Sequence, residues 1–391
     1  MSTPLKDLRL LRRAAIAVAV VGLSAATLPF SAASASASTD EAHGRGAVFV
    51  QLNFTSGNRV AAYARAADGT LTAAGTYDTG GLGGTETGAP LDALASQGGL
   101  TYDRPGHVLV AVNAGSDTVT SFSVRGARLD RTAVVSSGGE FPTSVTVHGD
   151  LAYVLNAGGD GSISGFRVKY ARLVPIPGST RSLGLGNDPV PSFIQAPAQV
   201  GFSDDGNTLI VTTKAHNTLL TFPVDSAGVP SATPTVTPSA GAVPFSFVVD
   251  PRGTVHVTEA ATGNTSSYAV NTAGGLTLLG SSASDGGAAL CWNVRVGRYL
   301  FGANAGSASL SSWRLQADGT AALAAPVAAT TNAGPIDLAA SRDGRFLYVQ
   351  ESVAGTLGVY AVSSHGHLHR IQTVTGLPAF SAGGMEGLAA A

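Results

Sequence analysis

The feature that most constrains this fold is a short apolar strand that recurs seven times and usually ends in a polar residue. Successive copies end 60, 43, 58, 45, 45 and 47 residues apart, and the two longest gaps hold insertions at 80–96 and 181–197. A fixed period of this length is the mark of a repeat architecture in which each repeat is one supersecondary unit. The copies are residues 48–53, 109–113, 152–156, 209–214, 255–259, 299–304 and 347–351.

Each copy lies among other short strands that Gly- and Pro-containing turns separate. No segment has a convincing helical period, because Gly or Pro interrupts almost every candidate. Gly makes up 50 of the 391 residues, which suits a fold with many tight turns. Short strands at this period are typical of propeller blades with one four-stranded sheet each. We therefore predict an all-β fold, a seven-bladed β-propeller.

The first copy lacks the strand that precedes the other copies, and the C-terminus supplies an unpaired one. We predict that residues 385–390 form the innermost strand of the blade that contains residues 48–53. This pairing closes the ring and removes an exposed sheet edge. A solenoid would need capping repeats instead, and it would have no use for such a circular overlap.

The N-terminus has the order of a secretory signal peptide. Four basic residues precede an apolar run at 14–23, and small residues at 31–38 offer cleavage sites. We predict a signal peptide at 1–37, a single propeller domain at 38–391, and a secreted, extracellular protein. The apolar run is too short for a permanent membrane span, so we expect no membrane association after cleavage. The Arg12-Arg13 pair leaves twin-arginine export open beside the general secretory route.

Charge and cysteine content narrow the possible partners. The chain carries a formal charge of −2, and residues 1–37 contribute +3 (four bases, one acid), which leaves −5. A weakly acidic chain without basic runs argues against nucleic-acid binding. Cys291 is the only cysteine, so no disulfide framework accompanies the predicted export. We expect a monomer stabilised by buried apolar area.

Six stretches of the chain carry a family resemblance: 96–100, 111–115, 147–158, 197–203, 244–247 and Cys291-Trp292. They resemble the lactonase family of seven-bladed propellers, in particular its secreted bacterial branch. That family includes 6-phosphogluconolactonases and carboxymuconate cyclases, which open or close lactone rings without a redox cofactor. The resemblance implies cofactor-free lactone hydrolysis or ring closure at the mouth of the propeller channel.

The resemblance does not extend to the strand-start motifs of the phosphosugar branch of the family. Innermost strands of that branch begin with Pro-Arg-His or Pro-His-His, whereas the corresponding starts here are 197–199, 244–246 and 335–337, without His or Arg. Glu259 and Glu351 do match the Glu that ends a second strand in the family. We therefore expect a small lactone or another polar ring as the ligand, and no phosphate.

Alignment of the copies places polar residues at the channel mouth, where innermost strands begin and second strands end. We predict Glu259 as the general base and Lys214 as its electrostatic partner, with Trp292 as a stacking wall. Glu351, on an equivalent strand, is the alternative carboxylate. The predicted substrate-binding residues are Gln199, Trp292, Asp337, Asn113, Asn156 and Asn304.

Each of these residues also has a structural interpretation. An Asn or Glu that ends a strand often bonds its own turn, Lys214 can be a solvated charge, and Trp292 can pack between blades. We interpret Cys291 as a small buried hydrophobe. We predict no cofactor and no metal site, because the histidines at 365, 367 and 369 fall in an outer hairpin turn and lack an evident fourth ligand.

Two functions stay open. One is a secreted lactonase-like enzyme; the other is a non-catalytic extracellular propeller that binds a small ligand, a glycan or a protein. If the protein is an enzyme, we expect Lys214, Glu259 and Trp292 to converge on one concave pocket. We also expect the insertion at 80–96 to be a mobile flap rather than packed core, since long loops are usually functional or disordered.

Overall fold

The computed structural model describes residues 46–391, which form one ring of seven antiparallel sheets. The predicted signal peptide lies outside these residues. Within the described part of the chain, no helix is long and apolar enough to cross a bilayer. Three short 3-10 turns occur at Ala114–Ser116, Lys214–His216 and Phe380–Ala382.

Blades 1 to 3 follow the order predicted for a propeller, with strands added outward from the channel. From the innermost strand outward they are β29 (Glu386–Ala390), β1 (Gly46–Gln51), β2 (Arg59–Arg65) and β3 (Leu71–Asp78); β4 (Leu100–Asp103), β5 (Val108–Asn113), β6 (Thr118–Arg125) and β7 (Arg128–Ser136); β8 (Pro142–His148), β9 (Leu151–Asn156), β10 (Ser162–Lys169) and β11 (Arg172–Pro175), with β12 (Arg181–Ser182) also beside β10.

Blades 4 to 7 repeat the same order. They are β13 (Gln199–Phe202), β14 (Thr208–Thr212), β15 (Thr218–Pro223) and β16 (Thr235–Pro238); β17 (Pro244–Val249), β18 (Thr254–Glu259), β19 (Asn264–Val270) and β20 (Leu276–Ser281); β21 (Leu290–Val296), β22 (Tyr299–Asn304), β23 (Ser309–Leu315) and β24 (Ala321–Thr330); β25 (Pro335–Ala340), β26 (Phe346–Glu351), β27 (Thr356–Val362) and β28 (Leu368–Val374).

The burial of each strand explains its sequence pattern. Second strands are covered on both faces by neighbouring blades, so β5 is buried at every position and is continuously apolar up to its final Asn. The outer strand β24 has one solvent-exposed face and shows an irregular alternation of buried, half-buried and exposed positions. The core therefore lies in the seams between blades. In the seam between blades 1 and 2, for example, Phe49, Leu109 and Phe122 pack in one cluster.

The predicted ring closure is confirmed. Strand β29 pairs antiparallel with β1, with Val48 opposite Ala390 and Gln51 opposite Glu386. A bulge interrupts this pairing at Gly387, where φ is +73°. A Cβ there would lie 2.4 Å from the backbone nitrogen of Leu100 on blade 2, so only glycine fits this close approach.

Candidate functional site at the channel mouth

Two predicted carboxylates end second strands and bond the segment that leads into their own blade. The Glu259 carboxylate accepts bonds of 2.8 and 3.0 Å from the Ser239 hydroxyl, 20 residues earlier. The Glu351 carboxylate accepts bonds from the backbone N–H (3.0 Å) and the side-chain amide (2.8 Å) of Asn332, 19 residues earlier. The same architectural contact thus recurs in two blades.

The predicted asparagines have comparable structural partners. Asn304 Nδ2 donates to Asp285 Oδ2 at 3.0 Å, and Asn156 Nδ2 donates to the Ser137 carbonyl at 3.4 Å. In each pair the acceptor lies 19 residues before the asparagine in the chain. Asn113 Nδ2 donates to two threonine hydroxyls of β6, at 3.1 and 2.9 Å. We call Asn113, Asn156, Glu259, Asn304 and Glu351 the strand-end residues. Their contacts match the structural interpretation, in which buried polar groups are hydrogen-bonded within the fold.

The predicted pairing of Glu259 with Lys214 does not occur. Within residues 46–391, no hydrogen bond or ion pair joins Lys214 to Glu259 or Glu351. Glu351 instead pairs with Arg370 at 2.5 Å. Burial raises the pKa of Glu259, and the Ser239 hydroxyl opposes that shift by stabilising the carboxylate.

Two of the predicted innermost-strand residues connect neighbouring blades. The Gln199 amide donates to the Phe247 carbonyl (3.1 Å) and accepts from the Phe247 N–H (2.7 Å), which ties blade 4 to blade 5. Asp337 Oδ2 accepts the Leu388 N–H at 2.9 Å and ties blade 7 to blade 1. Both line a cavity of about 250 Å³ in the channel. Burial raises the pKa of Asp337 to about 8.

Lys214 lies one residue beyond the strand-end position of its blade and enters the channel mouth. Its strand ends at Thr212, and Thr213 holds the strand-end position in front of a 3-10 turn, as Asn113 does in blade 2. Lys214 begins that turn with φ +28°, a strained value for a non-glycine residue. Its ammonium donates to the Ala95 carbonyl at 2.8 Å and lies 3.5 Å from a Glu86 carboxylate oxygen. Only 1% of the Lys214 side chain is exposed, so the solvated-charge interpretation is wrong.

Trp292 reaches the same segment from blade 6. Its indole N–H donates to the Ser96 carbonyl at 2.7 Å. Phe245 lies between the two predicted residues, with its ring 5.0 Å from the Trp292 ring and 5.6 Å from the Lys214 ammonium. Lys214 and Trp292 therefore do converge, but on residues 95–96 of the first insertion rather than on an open pocket.

The two insertions meet over the channel. The Thr87 N–H donates to the Pro191 carbonyl (2.9 Å), and the Phe193 N–H donates to the Thr87 carbonyl (3.1 Å). We call residues 86–96 and 191–193 the cap. Asp92 is 3% exposed and Leu94 is fully buried, so the expectation of an unpacked flap at 80–96 is wrong for this part of the insertion. Side chains from four blades bond its backbone and hold it in the mouth.

Two carboxyl groups of the cap, Glu86 and Asp92, lie near Lys214, and Asp92 also contacts Glu386 of blade 1. Glu386 Oε1 accepts the Leu94 N–H at 2.7 Å, and Asp92 Oδ2 accepts the Ser96 N–H at 3.1 Å. Asp92 and Glu386 also hydrogen-bond each other. We call Glu86, Asp92, Glu386 and Lys214 the mouth cluster.

Burial is the main electrostatic influence on the mouth cluster. It raises the pKa of Glu86, Asp92 and Glu386, and the neighbouring Asp92 charge raises that of Glu386 further. The Lys214 charge works in the opposite direction on Glu86 and Asp92. Two adjacent carboxyls that cannot both ionise share a proton, which is an arrangement suited to acid–base chemistry. One Glu86 oxygen, Oε1, is buried without a hydrogen-bond partner.

Of the remaining predicted groups, Cys291 lies near the mouth cluster and the histidines lie in an outer turn. Cys291 is a free, buried thiol whose pKa is raised by burial, as the hydrophobe interpretation expects. His365 and His367 are exposed in the turn between β27 and β28, as predicted. Among the described residues, no group of three or more His, Cys, Asp or Glu side chains is placed to hold a metal ion.

Comparison with known proteins supports the fold. No family model and no curated protein matches the chain. Among solved structures, it is similar to a candidate 6-phosphogluconolactonase from Bacteroides uniformis, at 17% identity and TM-score 0.68 over 86% of this chain and 98% of that one. A protein from Lactobacillus plantarum aligns at 18% identity and TM-score 0.69 over 90% and 100%. The periplasmic gluconolactonase of Pseudomonas aeruginosa aligns at 20% and 0.64 over 86% and 98%. The chain therefore has the seven-bladed propeller fold of these structures.

Proposed function

We propose that the protein is an exported lactonase-like enzyme that hydrolyses, or closes, a small lactone at the channel mouth without a cofactor. The mouth cluster carries this proposal, because it assembles a lysine and three carboxyl groups at one end of the channel. The fold is shared with a periplasmic gluconolactonase, which supports both the reaction class and the export. The predicted signal peptide supports export independently.

The mouth cluster contains the groups that lactone hydrolysis requires. The ionised member of the Asp92–Glu386 pair takes a proton from water as the water oxygen bonds to the ring carbonyl carbon. The Lys214 ammonium stabilises the negative charge that develops on the carbonyl oxygen. The protonated member of the pair then protonates the ring oxygen as the ring C–O bond breaks, which releases a hydroxy acid. Trp292 and Phe245 supply an apolar wall for the ring.

The cap must move for a substrate to enter, because every member of the mouth cluster is buried. Glu86 and Asp92 belong to the cap and move with it, so the cap must close again over the bound substrate before these carboxyls act with Lys214 and Glu386. The cap is held by a few backbone hydrogen bonds to side chains rather than by a continuous sheet; its junction at Thr87 and Ser192 is an isolated bridge. Segments attached in this way open at lower free energy than the strands around them. Opening of the cap is thus the conformational step that this proposal requires.

The test is an activity screen with variants that separate the two carboxylate assignments. Purified protein is assayed on aliphatic, sugar and aromatic lactones, with acid release as the signal. Asp92→Asn and Lys214→Met should lower the rate, the first by about 100- to 10,000-fold. Glu259→Gln and Glu351→Gln test whether the carboxylate predicted from the sequence, or its alternative, is the general base. If Glu259→Gln alone abolishes turnover, the mouth cluster is not the catalytic site.

The closed mouth favours a second function, a non-catalytic propeller that binds a small ligand, a glycan or a protein. Lys214 and Trp292 are both occupied by the cap, which is the arrangement expected of packing groups. This function predicts no acid release from any lactone in the panel. It also predicts that Asp92→Asn stabilises the fold, since it removes a buried titratable group.

A further inference from the structure

The end of the propeller opposite the mouth carries a concentration of arginines in blades 5 to 7. The turn between β21 and β22, which contains Gly297 and Arg298, projects there between two clefts of about 420 and 430 Å³. Arg295 and Arg298 line both clefts. The lining of the pair contains five arginines and two carboxylates: Arg252, Arg295, Arg298, Arg314, Arg342, Asp250 and Asp343.

Three of these arginines are exposed and have no partner in the fold. The guanidinium groups of Arg298, Arg314 and Arg342 make no hydrogen bond or ion pair with any of the described residues. Arg252 and Arg295 are held by neighbouring groups, Arg252 by Asp250 at 2.9 Å and Arg295 by the Gly297 carbonyl at 2.8 Å. The clefts therefore present uncompensated positive charge on a preformed frame.

The two carboxylates offset only part of the charge of the five arginines, and each is hydrogen-bonded within its own turn. Asp250 accepts the backbone N–H groups of Arg252 (2.8 Å) and Thr254 (3.1 Å). Asp343 accepts the Ser341 hydroxyl (2.6 Å) and the Arg345 N–H (3.2 Å). These bonds are ordinary turn chemistry, and they leave the free arginines unpaired.

Two other surface arginines of this fold are paired with carboxylates. Arg128 pairs with Asp130 at 3.2 Å, and Arg167 pairs with Asp150 at 2.8 Å. The unpaired arginines of blades 5 to 7 instead share the lining of two adjoining clefts, which points to an anionic ligand.

We propose that these two clefts bind an acidic polysaccharide, with its carboxylate or sulfate groups on Arg298, Arg314 and Arg342. A guanidinium presents parallel N–H donors that match the oxygens of such groups. Because the clefts share two arginines, one extended ligand can occupy both. The hydroxyls of Ser363, Ser364 and Tyr299 in the second cleft suit the hydroxyl groups of sugar rings.

The surface suits a widely spaced polyanion better than a nucleic acid. Duplex DNA carries one charge per roughly 1.7 Å of axis, and such dense charge would meet the fixed carboxylates of Asp250 and Asp343. Single strands are held chiefly by base stacking on aromatic rings, and Tyr299 is the only aromatic side chain lining either cleft. A glycan with one charge per sugar avoids both problems.

Binding of the purified protein to polygalacturonate and to dextran sulfate, measured by biolayer interferometry, tests the proposal. The two polymers distinguish carboxylate from sulfate recognition. The variant Arg298→Ala/Arg342→Ala should bind at least about 10-fold more weakly than the wild type, since it removes two charge-assisted contacts. Arg172→Ala, an exposed arginine of β11 in blade 3, is the matched control and should change affinity less than about 2-fold.

Further measurements keep the result decisive. Wild-type affinity for the polymer that binds more tightly should fall as NaCl rises from about 50 to 200 mM. This measurement does not depend on whether the double variant folds. Equal thermal melting of the two proteins shows that the double variant is folded. The proposal is overturned if neither polymer binds, if the double variant binds like the wild type, if free galacturonate binds as tightly as the polymer, or if an oligonucleotide binds more tightly than both glycans.

Discussion

The strand-end residue Glu351 and the mouth cluster lie at the same end of the propeller, and both are polar and buried, yet their carboxyl groups differ in how their charge is balanced. Glu351 has donors from Asn332, Thr356 and Arg370 around its two oxygens. The mouth cluster sets three carboxyls against one lysine and leaves Glu86 Oε1 without a partner. A carboxylate with its own cation and donors stabilises its blade, whereas carboxyls that share one cation keep the raised pKa values that burial imposes.

The largest effect on stability is expected from a deletion that removes one member of the mouth cluster together with the ring closure. Deleting the chain from Gly383 onward takes away β29, including buried Leu388 and the Glu386 carboxyl. It exposes the edge of β1 and the apolar seams on either side. We expect the melting temperature to fall by more than about 5 °C. Unchanged melting by calorimetry would refute the closing role of the C-terminal strand.

A matched pair of Glu→Gln substitutions, one in each region, compares how the two regions contribute to stability. Glu351→Gln should destabilise the protein by about 1–3 kcal/mol, because the Arg370 guanidinium loses its ionised acceptor. Glu386→Gln should be neutral or stabilising, because burial already favours the uncharged form of that carboxyl. Urea unfolding of both variants measures the difference.

The pair is informative because both glutamates lie at the mouth end of neighbouring blades and receive the same chemical change. Equal losses of stability from the two substitutions would show that the mouth cluster is an ordinary structural network. A larger loss from Glu386→Gln than from Glu351→Gln would mean that the Glu386 carboxylate is ionised in the folded protein, and the proposed shared proton would then be wrong.

The repeat pattern was sufficient to predict the fold, including the pairing of β29 with β1, because each blade has the same local signals. It also located the strand-end residues and the equivalent positions Gln199, Trp292 and Asp337 on innermost strands. Lys214 was assigned to the wrong register by one residue. The second strand of blade 4 ends at Thr212, and Lys214 already begins the following 3-10 turn.

The mouth cluster could not be predicted in the same way. Asp92 and Glu86 belong to an insertion that has no counterpart in the other blades, so no repeat indicates its conformation. Leu94 and Glu386 are 292 residues apart, and only closure of the ring brings them together. The available signal was indirect: two acids in a long connection at the mouth, and a third in the strand that closes the ring.

The pH dependence of stability tests the burial of a carboxyl group that lies beyond the mouth itself. Burial raises the pKa of Asp337 to about 8 from an ordinary value near 3.8. The folded state therefore holds a proton that the unfolded chain releases between about pH 4 and pH 8, and stability falls as pH rises through that window. Below pH 4 the carboxyl is protonated in both states, so its contribution to stability is fully present there.

Asp337→Asn removes this proton and should flatten the pH dependence between pH 5 and 8 by up to about 1.4 kcal/mol per pH unit. The remaining slope belongs to Glu86, Asp92, Glu386 and Glu259, whose pKa values burial also raises, and to His256, whose pKa burial lowers. The measured quantity is the slope of unfolding free energy against pH, because the amide also changes absolute stability through its contact with the Leu388 N–H. Parallel slopes for the variant and the wild type would mean that Asp337 is ionised in the folded channel. Electrostatic free energy would then be confined to the mouth cluster, and the contrast with the strand-end residues would be a property of the cap alone.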